Sequence, residues 1–297
     1  MSSDPAAGDL RAQSRQAARR SRSRALRAFG RHRLGVIGLA VIVVCYAAAL
    51  FAPWVAPHDP YALDLGRAFA PPGPNNLLGT DNFGRDTLSR LIYGSRISLT
   101  AGLLVVLISA GVGSVLGLLA GYLRGWVDTL IMRLTEVFFA FPFLVLVIAV
   151  VAVLGSSVVN VVWVLGLVSW PVYARLVRAQ VLTLRSRDFV EAARAGGAST
   201  PRVMFRTILP NALTPIIVTA TFGVPQAILA LAALGFLGLG VQPPAPEWGT
   251  MVSEAKNYLL QAPALIVWPG VVIAVIVMSF NFLGDGLRQA LDPRQTR

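Results

Sequence analysis

The sequence predicts an all-α membrane protein with six transmembrane helices. Three observations lead there. Hydrophobic residues make up 55% of the 297-residue chain and charged residues 13%, with a mean hydropathy of +0.66; soluble domains carry about 25% charged residues. Uncharged runs recur, each near or above the roughly 20 residues that a spanning helix needs. The polar segments between them carry an uneven share of the basic residues.

Residues 1–33 hold nine arginines and almost no large apolar side chain, a composition that predicts a mobile tail touching anionic lipid head groups. The apolar run Leu34 to Val55 exceeds the 7–15 residues of a signal h-region, so it reads as an uncleaved first span. Residues 56–98 are polar and rich in turns, with Ala70-Pro-Pro-Gly-Pro-Asn-Asn76 unable to form a helix or a central strand. Leu88, Leu91 and Ile92 recur at helical spacing within Arg85–Gly94, which predicts a short amphipathic helix on the membrane surface.

Leu99 to Tyr122 forms the second span, and a short polar stretch with Arg124, Asp128, Arg133 and Glu136 follows. Val137 to Tyr173 is then uncharged for 37 residues, too many for one crossing of a core about 30 Å thick. Gly155-Ser156-Ser157 supplies a turn that divides it into a third and a fourth span. Asn211 to Val241 is the fifth and Ala262 to Leu283 the sixth, with the Pro-rich segment Gln242–Gln261 between them.

The positive-inside rule sets the orientation. With a cytoplasmic N-terminus, 21 basic residues fall inside and five outside (Arg67, Arg85, Arg90, Arg96 and Lys256). The outside arginines are matched by Asp59, Asp64, Asp81 and Asp86. Both termini, and the charged insert between the fourth and fifth spans, are therefore expected in the cytoplasm.

That insert, Asp188-Phe-Val-Glu-Ala-Ala-Arg-Ala-Gly-Gly197 and onward to Ala212, predicts two short helices. Asp188 is expected to cap the first, with Glu191 three residues on completing a capping-box-like pair. Gly196-Gly197 suit a left-handed end and a sharp turn. Ser199 or Thr200 then caps a second helix, with Pro201 at its first position, which runs to Leu209 and is broken by Pro210. Ala192, Ala193, Ala195 and Ala198 allow close approach by another backbone. Two readings of the insert stay open on the residues alone: an amphipathic loop lying on lipid, and a docking knob for a cytoplasmic partner. Glu191 is poorly suited to anionic lipid and favours the partner.

Several chemistries are excluded. Lys256 is the only lysine and sits between Ala255 and Asn257, so the chain has no Walker A loop. His32 and His58 are the only histidines and Cys45 the only cysteine, which removes His/Cys metal clusters, a Cys–His nucleophile pair and an intrachain disulfide. Cys45 lies in an apolar run and reads as a small buried hydrophobe. No charged residue falls near the middle of any span, which counts against a stand-alone ion-coupled carrier. The acids lie in loops, away from any His or Cys constellation, and this counts against a membrane-embedded enzyme.

Two further groups are candidates for function. Gly223 and Pro225 are expected to break the fifth span, where freed backbone is tolerated only if buried or lining a watery path. That nominates Thr219, Thr221 and Gln226 for a translocation pathway, with Asn281 from the sixth span; each also fits a helix–helix hydrogen bond. On the outer face, Pro246, Glu247 and Trp248 are candidates for contact with an extracytoplasmic protein, and Trp248 fits equally as an interfacial aromatic anchor.

Glu191-Ala192-Ala193, then Gly197, then Ile208-Leu209-Pro210 resemble the EAA motif of binding-protein-dependent ABC importer permeases, with Thr207 where the motif has an apolar residue. Leu78-Gly79-Thr80-Asp81 with Gly84-Arg85-Asp86 is similar to the dipeptide, oligopeptide and nickel permeases of the second-subunit type. So are Ala233–Pro244 with Pro246-Glu-Trp-Gly249, and Asp285-Gly-Leu-Arg288 with Leu291-Asp-Pro293. The resemblance covers residues 25–294. It implies a type I ABC importer (MetI-like) permease fold in a bacterial plasma membrane. It divides the chain into a tail at 1–33, a first helix and extracytoplasmic segment at 34–96, a permease domain at 97–288 containing an EAA loop at 186–210, and a tail at 289–297.

The same resemblance implies a function. The chain would be a non-catalytic permease subunit carrying peptides, or alternatively nickel or another small solute. Asp188, Glu191, Ala192, Ala193, Arg194, Gly197, Leu209 and Pro210 would form a coupling helix seated on an ATP-hydrolysing subunit. Implied partners are a second permease, one or two cytoplasmic P-loop ATPases, an extracytoplasmic substrate-binding protein and membrane lipids, with no nucleic acid. ATP and Mg would lie on the ATPases, and this chain would hold no cofactor.

Overall fold

The computed structural model describes residues 27–291, and within them the chain is helical, with one isolated bridge between Thr80 and Asp86 as the only extended pairing. The Arg-rich tail expected to meet lipid head groups lies mostly outside the described residues, as does Asp292-Pro293. Helix α1 spans Arg33–Leu50, and His32 caps it by accepting from the Gly35 N–H at 2.9 Å. A one-turn helix, Ala52–Val55, leads into an irregular segment up to Asp86.

Helix α2 spans Thr87–Leu123, 37 residues that cover about 55 Å at 1.5 Å per residue. Its N-terminus is fixed by the Asp86 carboxylate, which accepts from the Ser89 N–H at 2.8 Å. The separate amphipathic surface helix expected at Arg85–Gly94 is not present. Thr87–Gly94 are instead the first turns of α2, and Ser89, Arg90 and Leu91 are buried rather than lying on a surface. Nothing between Thr87 and Leu99 breaks a helix, and the charges that suggested an interface are neutralised internally.

Gly113, Gly117 and Gly121 form a stripe along α2 that lets it lie directly against the later helix α5, Val158–Leu184. A Cβ added at Gly117 would fall 2.9 Å from Val177 Cβ, and one at Gly121 would fall 2.8 Å from Val181 Cβ. Small residues four apart are how membrane helices bring their backbones together, since lipid offers no hydrophobic drive for association.

The stretch from 124 to 136, expected to be a polar connection, is helical from Gly125 onward, with Arg124 (φ 59°) as the break after α2. Helix α3 spans Gly125–Ala140, and α4, Phe143–Leu154, follows a 91° bend at Phe141-Pro142. Pro142 lacks an N–H and forces Phe141 into extended backbone (φ −101°, ψ 141°), which ends α3. With 12 residues, α4 reaches only about 18 Å, so the third crossing is a bent pair rather than one rod. The turn at Gly155-Ser156-Ser157 is where the sequence placed it, with Gly155 at φ 89° and Ser157 capping α5, Val158–Leu184. Among the described residues, five helices are long and apolar enough to cross a membrane, and the count is six when the bent pair is taken as one span.

After α5 come α6, Asp188–Ala195; a turn at Thr200–Arg202; a π-helical segment, Val203–Ile208; and α7, Leu209–Phe236. Neither Pro210 nor the Gly223/Pro225 pair breaks the chain, which runs helically for 37 residues from Thr200 to Phe236. Pro210 occupies the first turn of α7, where a missing N–H costs little. The wide π turns before it let the Leu209 N–H reach the Met204 carbonyl, and the Asn211 amide donates to the Thr207 carbonyl at 2.7 Å. Helix α8 spans Trp248–Ala255 and α9 spans Ala264–Leu291. Helix α2 lies between α5 and α7, while α9 packs on α1 and α7.

Candidate functional site

The insert has a buried root and an exposed face. Val190 is fully buried in a cluster with Leu118 of α2, Val177 and Val181 of α5, and Val203, Met204 and Ile208. Burying a valine this way stabilises the contact by roughly 1.5 kcal/mol. Asp188, Glu191, Ala192 and Arg194 are exposed, and Ala193 is half-buried. Within α6, Val190 is the one buried residue, so the helix is anchored along a single line and open elsewhere.

Its termini differ in part from expectation. Arg187, not Asp188, is the N-cap, and no side chain caps the helix. Asp188 is instead the first helical residue, and the Asp188/Glu191 capping box does not form. Both carboxylates sit in the first turn, where they complement the helix dipole. At the other end Gly197 takes the left-handed conformation (φ 76°), its N–H bonding to the Arg194 carbonyl and the Ala198 N–H to the Ala193 carbonyl at 3.1 Å. Leu209 is half-buried, and Pro210 is exposed at the start of α7.

Arg194 stands with its guanidinium 5.2 Å from the centre of the Tyr122 ring, at the end of α2. Nearby, Arg178 of α5 holds Asp128 of α3 through two bonds of 2.5 and 2.7 Å, and Arg175, one turn earlier, lies 4.3 Å from the Phe139 ring. Tyr122, Arg178 and Asp128 were not among the sequence candidates. These pairs join residues 36 to 72 positions apart, and no local pattern announces them.

A cavity of about 330 Å³ opens between α2, α5, α7 and the α3–α4 bend. Thr219 and Gln226 line it, together with Ser109, Tyr173 and five phenyl rings, Phe222 and the cluster Phe138, Phe139, Phe141 and Phe143. Thr221 does not: it is buried elsewhere and donates to the Ile217 carbonyl at 2.8 Å. Asn281 is absent from the lining. Sequence reasoning missed the phenylalanines, although the run Phe138-Phe-Ala-Phe-Pro-Phe143 was the available signal. The bend at Pro142 turns that run toward the cavity.

The Pro246-Glu247-Trp248 group is corrected by its burial. Pro246 is buried, and Glu247 and Trp248 are each 1% exposed, so none of the three presents a surface to another protein. Trp248 is no interfacial anchor either, since its indole N–H donates to the Leu91 carbonyl at 3.1 Å. Glu247 caps α8, accepting from the Thr250 N–H at 2.9 Å and from the Ser98 hydroxyl at 3.1 Å. Burial pushes its carboxyl above the ordinary range, and the backbone and hydroxyl donors only partly oppose this. The exposed part of this segment is Gln242, Pro243 and Pro244.

Among the described residues, no group of three or more His, Cys, Asp or Glu is placed to hold a metal. Residues 113–297 match the family described as binding-protein-dependent transport system inner membrane component. The chain belongs to that family. Residues 22–72 also match the N-terminal transmembrane domain of oligopeptide transport permease C. Across 272 residues the chain is 46% identical to the dipeptide transport system permease protein DppC of Haemophilus influenzae, covering 90% of this chain and 92% of the relative. It is 49% identical to the di/tripeptide permease DppC of Pseudomonas aeruginosa, covering 88% and 87%. It is 43% identical to the glutathione permease GsiD of Pectobacterium atrosepticum, covering 90% and 89%. The inward-facing MetNI methionine ABC transporter shares the fold, at a TM-score of 0.56 and 19% identity over 68% of this chain and 97% of that one.

As a binding-protein-dependent inner-membrane component, the chain is a multi-pass ABC importer permease and a non-catalytic transport subunit. The family's description makes it the membrane component of a transport system that depends on a binding protein. The six-span expectation and the type I permease fold agree with the helices described above.

Proposed function

We propose that this permease forms half of the translocation pathway for di- or oligopeptides delivered by an extracytoplasmic binding protein. A second homologous permease supplies the other half. One or two cytoplasmic P-loop ATPases supply the energy, with ATP and Mg on those partners and no cofactor in this chain. Both termini and α6 face the cytoplasm, in line with the bias of 21 basic residues to five. The functional unit is residues 97–288, with the coupling segment at 186–210.

One observation carries the reading: α6 roots Val190 in the junction of α2 and α5 while leaving Glu191 and Ala192 open. Glu191 offers a carboxylate for charge-assisted bonds from a partner's arginine or backbone N–H groups. Ala192 and Ala193 keep the surface flat, and Gly197 makes the turn tight. Closure of the ATPases on ATP displaces α6, and its buried root passes the movement to α2 and α5. The cavity holding Thr219 and Gln226 then opens outward, and hydrolysis resets it. The substrate class is supported by relatives named for dipeptide, di/tripeptide and glutathione transport.

The test is Glu191→Arg in the assembled transporter. Membrane insertion persists, while peptide uptake and ATPase stimulation by the loaded binding protein both collapse. Retention of both near wild-type levels removes Glu191 from the docking role. Competition against a labelled dipeptide checks the substrate: unlabelled di- and tripeptides compete, and a competitor profile limited to nickel chelates overturns the peptide assignment.

A further inference from the structure

At the end of α2 remote from α6, three buried charges, Asp81, Arg85 and Arg90, close on the half-buried Glu254. Arg85 Nε lies 2.6 Å from Asp81 Oδ2, and Arg90 Nη2 lies 2.7 Å from Glu254 Oε2. The cross contacts are Arg90 Nε to Asp81 at 3.5 Å and Arg85 Nη2 to Glu254 at 3.4 Å. The two guanidinium side chains are 3% and 1% exposed. Two positive and two negative charges make the group neutral.

Stability is a weak explanation for such a group. Well-packed apolar residues of similar volume often stabilise a protein as well or better, because desolvating charges is expensive. What the charges provide is a directional link. Asp81, Arg85 and Arg90 belong to the segment that begins α2, whereas Glu254 belongs to the last turn of α8. The same junction is tied by the Trp248 indole on the Leu91 carbonyl and by the Ser98–Glu247 bond. Arg90 also donates to the Pro244 carbonyl at 3.4 Å, which fixes the base of the exposed Gln242–Pro244 turn.

Both ends of α2 are therefore pinned. One end carries Tyr122 beneath Arg194 and packs on the Val190 cluster; the other carries Arg90 on Glu254. Between them the helix is unbroken. We infer that Glu254 is a positioning residue for transport: by tying α8 to the first turn of α2, it makes the exposed Gln242–Pro244 turn follow α2 when α6 is displaced. The inference rests on the importer reading above, and it makes that turn the surface whose placement an extracytoplasmic binding protein senses.

The test uses the complete transporter reconstituted with its ATPases, partner permease and loaded binding protein. The double variant Arg85→Gln/Glu254→Gln removes the bridging carboxylate while keeping the group neutral, and Glu254→Asp keeps the charge. In the double variant, the amount of assembled transporter and the basal ATPase rate stay at wild-type levels. The concentration of loaded binding protein needed for half-maximal stimulation rises about tenfold. Glu254→Asp recovers most of that loss. Unchanged half-saturation in the double variant overturns the inference. So does a loss that only tracks poor assembly in both variants, because the group is then a folding element. A wild-type transporter that shows no stimulation at all would instead overturn the importer reading.

Discussion

Arg194 on the insert and Tyr122 at the end of α2 are 72 positions apart in sequence, yet the guanidinium stands 5.2 Å from the ring centre. Arginine in this position serves as an internal strut, not only as a charge for a partner or a lipid phosphate. Together with the buried Val190, it gives α6 two fixed points on the membrane helices.

A double-mutant cycle measures this strut. Tyr122→Ala and Arg194→Ala are expected to couple by about 0.5–1 kcal/mol in thermal unfolding of the purified subunit, the range for an exposed cation–π pair. Tyr122→Phe keeps most of the coupling because the ring face remains. Additive effects of the two alanines would show that the pair does not interact.

The turn after α6 depends on one glycine and not its neighbour. Gly197 is left-handed at φ 76°, whereas Gly196 is at φ −76°. Gly197→Ala is expected to cost roughly 1–2 kcal/mol and to speed protease cleavage of the insert. Gly196→Ala leaves cleavage near the wild-type rate. Equal sensitivity at both positions would contradict the assigned geometry.

Glu247 predicts a pH dependence with a definite sign. Its carboxyl is raised by burial above the reference value of 4.5. The folded state therefore binds more protons than the unfolded state just above that pH, and this contribution to stability falls as pH rises from about 4.5 toward the folded value. Glu247→Gln keeps an acceptor for the Thr250 N–H and removes the charge. The variant is expected to match or exceed wild-type thermal stability at pH 8, and the difference is expected to shrink toward pH 5. A gap that widens on acidification would reverse the assignment.

The cavity separates two residues that look alike in sequence. Gln226 lines it, whereas Thr221 is committed to the Ile217 carbonyl. Gln226→Glu is expected to slow uptake of acidic peptides several-fold more than that of basic ones, since a fixed charge in a low-dielectric passage acts strongly on a charged substrate. Thr221→Val leaves that ratio unchanged. Loss of uptake irrespective of peptide charge would remove Gln226 from the pathway.

The spans were legible wherever an uncharged run met a turn. Gly155-Ser156-Ser157 was read correctly because a positive-φ glycine and a serine cap are local signals. Asp188, Pro210 and the Gly223/Pro225 pair were misread for the opposite reason: local rules name a residue that is able to cap or break a helix, but neighbouring turns decide whether it does. Arg187 took the cap position, and a π-helical segment carried the chain through Pro210. Pro246, Glu247 and Trp248 looked like an exposed loop because their polarity and turn chemistry are those of a loop. Their burial against α2 depends on partners about 150 residues away.

By itself the sequence determined that this chain crosses a membrane several times and carries a charged insert, because hydrophobic length and charge distribution act along the chain and are set by the cost of placing charge in hydrocarbon; the permease reading came from the motifs that resemble a known family. Only the tertiary structure decided which charges are exposed and which are spent inside. Arg85, Arg90, Glu247 and Glu254 became internal fastenings because α8 folds back onto α2, and that return brings opposite charges and hydrogen-bond partners within reach of groups that would otherwise need water.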